Sequence, residues 1–287
     1  MYQKSHQHAV GIGYMLIAWL LFTLMTIGTR FATKTVSIPT VLLFQNLIGL
    51  MTFLPWIKKH GWGLFQTKRF GLILFRSLIS LISIWFSFTA VQKISLVNTM
   101  LFVNSSPLWI PFVVWIWLKI PMRHILWPGL IGGFLGIILI LKPAAAVIQP
   151  GTLFALASGV LLSINMVSLR QLSHTEKEQT VLFYYFFICS LVCLPFTLLE
   201  WTAPTALVWG EIIAIGVCLA LGQWAFVKAF HYAPASQLGP FCYAAVVYSV
   251  LIDWMLYGQT PDFLAWIGIG LVCAGGIWAI KCRAPLR

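Results

Sequence analysis

Apolar runs of about twenty residues, separated by short segments with basic residues, proline or glycine, recur along the whole chain. A helix of that length crosses the roughly 30 Å hydrocarbon core of a bilayer. Lipid offers no hydrogen bonds, so the backbone polar groups of such a segment must be satisfied within a helix. The pattern predicts an all-α integral membrane protein. A charged fraction of 8% agrees with this, because soluble domains carry about 25%.

Ten of these runs are predicted to be transmembrane helices. Their expected bounds are Val10–Ala32, Val36–Ile57, Phe70–Val91, Ser95–Leu118, Ile125–Leu141, Gly151–Leu172, Thr180–Leu199, Leu207–Phe230, Ser236–Tyr257 and Phe263–Ile280. The first run is longer than the core of a signal peptide and no small-residue cleavage pattern follows it, so we expect it to remain as a helix. Most Lys and Arg residues fall on the side of the N-terminus in this arrangement, which predicts two cytoplasmic termini.

The two halves of the chain resemble each other. One constant shift along the sequence aligns the last three spans of each half without a gap, and it matches Trp85 with Trp224, Trp115 with Trp254 and Trp127 with Trp266. We call this shift the repeat offset. Chance in a chain rich in Trp and Gly is the alternative explanation. Each repeat holds five spans, an odd number, so the second enters the membrane from the opposite side. The sequence thus predicts inverted repeats over residues 1–142 and 143–287, the arrangement of carriers that work by alternating access.

Polar residues within the spans are the candidates for a binding site, since polar groups in hydrocarbon usually face the bundle interior or a wet cavity. One helical face of the fourth span and its counterpart in the ninth carry Asn98, Phe102, Ser105 and Trp109, and Gln237, Phe241, Ala244 and Tyr248. These faces either pack on each other across the pseudo-twofold axis or line a substrate cavity from opposite walls. In the second case Asn98 faces Gln237 and Trp109 faces Tyr248.

The third span places Arg76 on one stripe with Ser80, Ser83 and Ser87. A buried Arg needs partners, and the alternative is that Arg76 snorkels to the headgroups from about two turns inside the span. The further predicted substrate-binding residues are Trp19, Thr26, Ser83, Trp85, Asn165, Gln223 and Trp224, with Gln45, Tyr184 and Tyr185 as weaker candidates. Aromatic faces of this kind suit an organic cation.

Asp253 is the only acid predicted to lie well inside a span. It is compatible with proton coupling, with neutralising a cationic ligand, or with pairing to a basic side chain of the bundle. Pro107 and Pro111 are predicted to loosen the fourth helix and free carbonyl groups.

Two overlapping GxxxG spacings, Gly129 to Gly133 and Gly132 to Gly136, predict close packing of the fifth span. Gly270, Ala274, Gly275 and Gly276 give the tenth span a similar face. These faces pack either on each other or on a second copy of the chain, so a homodimer stays open.

Other classes of function find little support in the sequence. The six histidines lie at termini, loops or span ends, without HExxH, GxSxG or paired carboxylates, so we expect no enzyme activity, no metal site and no cofactor. The net charge of +12 is not organised into a basic patch with interleaved aromatic residues, so nucleic acid is not an expected partner.

Taken together, these residues resemble the drug/metabolite transporter superfamily, specifically its ten-helix EamA-like exporters. The likeness spans nearly the whole chain. It rests on the doubled five-helix repeat and on Pro107, the Leu118–Pro121 turn, Arg170 and the glycines at 129–136 and 268–275. The chain departs from the family pattern at Lys119-Ile120 and Gly258-Gln259, where the family usually has an acidic residue, and at Gln45-Asn46, where it often has an Arg.

The resemblance implies a multi-pass carrier in a bacterial-type inner membrane, with a central cavity formed mainly by the first, third, fourth, sixth, eighth and ninth helices. Substrates known in this family include amino acids and other metabolites, S-adenosylmethionine and organic cations. We therefore predict a secondary transporter that moves a small organic metabolite of one of these classes by alternating access. A lipid-carrier flippase subunit and a non-transporting membrane scaffold are the alternatives.

Overall fold

In the computed structural model, residues 2–53, 66–94, 96–120, 124–142, 150–257 and 262–281 are described, and no β-strand occurs among them. The α-helices are α1 (Tyr2–Ala32), α2 (Ile38–Met51), α3 (Phe70–Lys93), α4 (Leu96–Val103), α5 (Ser106–Leu118), α6 (Trp127–Leu141), α7 (Pro150–Ser173), α8 (Glu178–Leu199), α9 (Ala206–Tyr232), α10 (Ala235–Leu238), α11 (Ala244–Tyr257) and α12 (Phe263–Lys281). Short 3₁₀ segments precede α6 at His124–Leu126 and α11 at Gly239–Tyr243. The predicted all-α membrane fold is confirmed.

The helix bounds agree with the predicted spans to within a few residues, apart from α1, which begins at Tyr2, well before Val10, and α2, which ends at Met51, well before Ile57. Within the described ranges, eight segments are long and apolar enough to cross a membrane, and α2 and α12 are shorter apolar helices. The predicted end of the second span, Ile57, lies outside the described residues. We call the side of the bundle on which α1 begins and α9 ends the N-face.

The fourth and ninth spans are broken helices. The fourth was predicted to be continuous from Ser95 to Leu118, and that is wrong: α4 ends at Val103 and α5 begins at Ser106. Pro107 has no N–H to donate to the carbonyl four residues earlier, so the predicted loosening becomes a break. Gly159 of α7 packs on this break, where a Cβ would lie 2.7 Å from the Phe102 carbonyl oxygen. The ninth span passes through a 3₁₀ turn at Pro240.

The long helices pack in antiparallel pairs, α1 with α9 and α3 with α7. A Cβ on Gly151 of α7 would lie 3.4 Å from the Ala90 carbonyl oxygen, and one on Gly11 of α1 would lie 3.3 Å from the Ala229 carbonyl oxygen. Under the repeat offset, Ala90 corresponds to Ala229, and Gly151 corresponds to the position directly after Gly11. The two pairs are therefore related by exchange of the halves.

The glycines of α6 and α12 bring these two helices into backbone contact. A Cβ on Gly129 would lie 2.9 Å from the Gly275 carbonyl oxygen, and one on Gly136 would lie 2.6 Å from that of Gly268. The repeat offset exchanges these two contacts. Gly132, by contrast, has no neighbouring atom within 4 Å of a Cβ. In the second predicted GxxxG spacing, only Gly136 therefore packs against a neighbouring helix. The glycines that pack here contact the other helix of the same chain.

Candidate functional site

The Arg76 side chain of α3 is fully buried. At a rise of about 1.5 Å per residue, it lies about 9 Å along the helix from Phe70. Its guanidinium carbon sits 4.9 Å from the centre of the Tyr185 ring on α8, so α8 covers it. The snorkelling alternative for Arg76 is therefore wrong, because the side chain points into the bundle.

Arg76 has few polar partners for a buried cation. Its Nη2 donates to the Oε1 of Gln223 on α9 across 3.4 Å, which is long for an N–H···O bond. The Nε and Nη1 atoms are buried and have no hydrogen-bond partner in the described part of the chain. Within the part of the chain that the structure describes, no carboxylate forms an ion pair with Arg76. The site thus presents uncompensated positive charge and free donors.

Local sequence explains how these groups meet. Tyr185 and Cys189 lie one helical turn apart on the buried side of α8, and both are close to Arg76. Ser80, one turn along α3, lies within hydrogen-bonding reach of the Tyr185 hydroxyl. Gln223 lies about 13 Å from the end of α9 and Tyr185 about 10 Å from the start of α8, so all three helices supply groups at a similar depth.

Ser83 shares the Arg76 stripe but serves a different contact. Its hydroxyl donates to the Ser158 carbonyl oxygen on α7 across 3.0 Å and lies 3.0 Å from the Ser158 hydroxyl, which is 2.7 Å from that of Ser87. The Ser158 hydroxyl also donates to the Ser83 carbonyl oxygen. These bonds join α3 to α7. The structure therefore places Ser83 in a helix interface rather than beside Arg76.

The predicted residues of the first and sixth spans are not joined to Arg76 by any hydrogen bond or ring contact within the described residues. Trp19 packs edge-on against Phe22 and Phe226, and its buried indole N–H has no hydrogen-bond partner among the described residues. Thr26 is exposed, and its hydroxyl donates to the carbonyl of its own helix four residues earlier. Asn165 of α7 is buried and its Oδ1 has no hydrogen-bond partner.

The candidates of the fourth span contact their own span and its neighbours. The Trp109 indole donates to the Ser105 hydroxyl across 3.1 Å, and Ser105 donates to the Phe102 carbonyl. The Phe102 side chain packs in a small apolar cluster with residues of α3 and α7, including Ala90 and Ala155.

The candidates of the ninth span lie apart from Arg76 as well. Phe241 is buried and packs against α12, where a Cβ on Gly276 would touch its ring at 3.3 Å. Gln237 and Tyr248 are half-buried. The Asn98 and Asp253 side chains lie outside the described residues. The pairing of Asn98 with Gln237, and that of Trp109 with Tyr248, stay predictions.

Two predicted tryptophans lie on the outer surface. Trp85 is 58% exposed and packs against Phe196, on the stripe of α3 that also exposes Phe75 and Ile82. Trp224 is 42% exposed, and the Lys228 ammonium sits 4.9 Å from its ring. We call Arg76, Tyr185 and Gln223 the Arg76 group. Within the described residues, neither tryptophan side chain forms a hydrogen bond or ring contact with this group.

Hydrogen bonds and ion pairs join α7, α8 and α9 at the N-face. The Arg170 guanidinium donates to the Phe230 and His231 carbonyl oxygens at the end of α9, and the Ser173 hydroxyl also donates to that of Phe230. Glu178 of α8 lies 4.0 Å from the Lys228 ammonium and 3.9 Å from the His231 imidazole. These bonds therefore hold α7, α8 and α9 together between the Arg76 group and the N-face.

His174 and Asp262 lie in segments between helices. Partial burial, and then the Arg170 charge, lower the pKa of His174, which keeps that imidazole neutral near neutral pH. On the opposite side of the bundle, Lys142 at the end of α6 forms an ion pair with Asp262 before α12. The hydrogen bond from Lys142 lowers the pKa of Asp262.

Comparison with known proteins decides what kind of protein this bundle is. The family model described as the EamA-like transporter family matches residues 9–142 and 149–280. The chain belongs to this family. EamA-like transporters have a ten-helix membrane fold, so α4 with α5, and α10 with α11, each count as one span.

Curated relatives of this EamA-like transporter are named as carriers of different molecules. It is 27% identical to a riboflavin transporter of Vibrio cholerae, over 93% of this chain and 92% of that protein. It is 24% identical to the pseudopaline exporter CntI of Pseudomonas aeruginosa over 96% of both. It is 22% identical to an S-adenosylmethionine uptake transporter of Rickettsia conorii, over 89% of this chain and 87% of that one. The EamA-like chain is thus a membrane transporter for small molecules.

A solved crystal structure shares the fold of this EamA-like transporter. It matches with a TM-score of 0.78 at 20% identity, over 96% of both chains. The predicted membership of the family is confirmed. The two segments matched by the family model lie within the predicted halves of the chain.

The sequence predicts Arg76 and Gln223 as site residues but does not predict their contact. Tyr185 is only a weaker candidate from the sequence, and Ser80 is not among the predicted substrate-binding residues. The signal for Tyr185 was its spacing from Cys189, which puts both on one side of α8. That side could not be recognised as the inner one, because the lipid-facing side of α8 is as apolar as the packed side.

Proposed function

We propose that this chain is a secondary carrier that moves a small organic metabolite across a bacterial-type inner membrane by alternating access. Its N-face, with both termini, is cytoplasmic in this proposal. The observation that carries it is the Arg76 group, a buried and incompletely paired cation where α3, α8 and α9 meet. A buried charge without partners costs free energy, so such a group is expected where a ligand completes it.

Alternating access is supported by the exchange symmetry of the helix contacts, since the α1–α9 and α3–α7 contacts, and the two glycine contacts between α6 and α12, are equivalent under exchange of the halves. At the N-face, Arg170 and Ser173 of α7 donate hydrogen bonds to carbonyl oxygens at the end of α9. Inward opening requires α7 and α9 to separate there.

The substrate belongs to the classes named from sequence, namely amino acids, S-adenosylmethionine or organic cations, and the Vibrio cholerae relative adds riboflavin. A scaffold has no use for an unpaired buried cation, which weakens that alternative. A flippase subunit would carry a lipid-linked solute. Asp253 remains a candidate for proton coupling, for neutralising a cationic ligand or for pairing with a basic side chain of the bundle.

Counterflow in proteoliposomes tests the proposal. Vesicles with purified protein are loaded with one unlabelled solute at a time and given its labelled form outside. The panel holds L-methionine, L-tryptophan, S-adenosylmethionine, choline and riboflavin, and protein-free vesicles are the control. We expect transient accumulation of at least one labelled solute. If none accumulates while a lipid-linked solute crosses the bilayer, the flippase alternative replaces the carrier.

A further inference from the structure

Three N–H groups of Arg76, on Nε and Nη1, have no hydrogen-bond partner among the residues that the structure describes. A guanidinium carries five N–H donors, one on Nε and two on each Nη. Nε and Nη1 are buried without a hydrogen-bond partner. Nη2 reaches only the Gln223 amide oxygen, at 3.4 Å. A buried polar group without an acceptor costs free energy, so a ligand that supplies acceptors to these N–H groups would be stabilised here.

The groups around Arg76 hold it in place without neutralising it. The centre of the Tyr185 ring lies 4.9 Å from the guanidinium carbon, and the Gln223 amide oxygen accepts a hydrogen bond from Nη2. A ring face and a neutral amide orient a cation but carry no formal charge. The positive charge is therefore left for a negative group to balance.

A single carboxylate fits this site better than the other anions of small metabolites. A carboxylate accepts two parallel N–H bonds from a guanidinium and brings one negative charge. A phosphate brings close to two negative charges at neutral pH and would need a second cation. Arg76 is the only Arg or Lys with a fully buried side chain among the residues that the structure describes.

We propose that Arg76 binds a carboxylate of the transported solute, with Gln223 and Tyr185 as positioning residues, so that the substrate is a carboxylate-bearing metabolite. This rests on the carrier function proposed above. It deepens that proposal, because an amino acid or S-adenosylmethionine satisfies it, whereas choline and riboflavin, which lack a carboxylate, do not.

The first test needs only the wild-type protein. In the counterflow assay, L-methionine and L-tryptophan are compared as competitors with L-methioninamide and L-tryptophanamide, which keep the side chain and the ammonium but lose the carboxylate. We expect a free acid to compete at least about tenfold better than its amide, the ratio for one lost charged hydrogen bond. Equal competition by acid and amide overturns the carboxylate assignment.

The second test uses variants of Arg76. Arg76→Gln should raise the KM for the transported acid at least about tenfold, and Arg76→Lys should restore part of the loss by keeping the charge. Arg69→Gln is the matched control, since it makes the same change at an exposed arginine one residue before α3. An unchanged KM in Arg76→Gln overturns the proposal. If Arg76→Gln does not fold, the acid and amide comparison decides.

Failure of this inference is distinct from failure of the carrier function. Transport of choline or riboflavin alone by the wild type leaves the carrier standing and excludes the carboxylate. Transport of no panel member by the wild type counts against the carrier function itself.

Discussion

Replacing Gly136 by alanine should separate α6 from α12. The added Cβ would lie 2.6 Å from the Gly268 carbonyl oxygen, 3.0 Å from a methyl group of Val272 and 3.1 Å from the Leu271 Cβ. The nearest of these atoms belongs to backbone, so it cannot turn aside as a flexible side chain does. Because ordinary contact begins at 3.4 Å, the helices must move apart by about 0.8 Å along that direction.

The expected cost follows from that movement. A gap of about 0.5–1 Å forfeits roughly a quarter to a half of the dispersion energy at each contact that opens. Overpacking of this kind typically costs about 1–3 kcal/mol. Gly132 is the matched control, because it lies in the same helix and has open space where the new Cβ would go. Both variants share the gain in helix propensity, so it cancels in the comparison.

The assay is the free energy of unfolding in mixed detergent micelles, followed by tryptophan fluorescence. We expect Gly136→Ala to be less stable than Gly132→Ala by about 1–3 kcal/mol. The exchange-related contact offers a second pair, Gly275→Ala against Gly270→Ala, with the same order expected. If Gly136→Ala and Gly132→Ala unfold alike, backbone contact does not hold these helices together.

Two further predictions concern the ends of the bundle. Arg170→Gln removes charged hydrogen bonds to the Phe230 and His231 carbonyl oxygens, worth roughly 1.5 kcal/mol. Hydrogen exchange of the backbone amides at the end of α9, measured by mass spectrometry, should therefore become about tenfold faster. An unchanged exchange rate would show that these bonds do not hold α7 and α9 together. The lowered pKa of Asp262 means that its pairing with Lys142 stabilises the fold above the unfolded pKa of about 3.9 and is lost as pH falls through the lower folded pKa. Melting temperatures should drop in that acid window for wild type but not for Asp262→Asn, and parallel curves would count against the pairing.

The membrane fold could be predicted from the sequence because the length of an apolar run is a local property of the chain. A helix must satisfy its own backbone in lipid, so run length alone places the spans. The break near Pro107 is local as well, since the missing N–H acts on a carbonyl four residues away. The repeat offset also predicted a feature that is not local, namely which glycines of α6 and α12 have equivalent roles.

The binding site was only partly visible in the sequence. Arg76 stood out because a charge inside a span is rare. Its contact with Gln223 could not be read from the repeat, since the repeat offset maps Arg76 onto Ile215 instead. Ser83 lies two helical turns beyond Arg76 on the same stripe, yet it contacts α7 while Arg76 contacts α8 and α9. Neighbouring helices cross α3 at an angle, so one stripe meets different partners along its length.

The ten spans, their approximate bounds, the doubled halves and the presence of a charge in the third span were determined by the sequence itself. The tertiary structure decided that Arg76 points inward, that Tyr185 and Gln223 hold it, and that Trp85 and Trp224 face outward. The physical reason is that lipid and a packed helix interior are equally apolar. Composition therefore places a residue in the membrane without saying which way it faces, and only the contacts between helices do that.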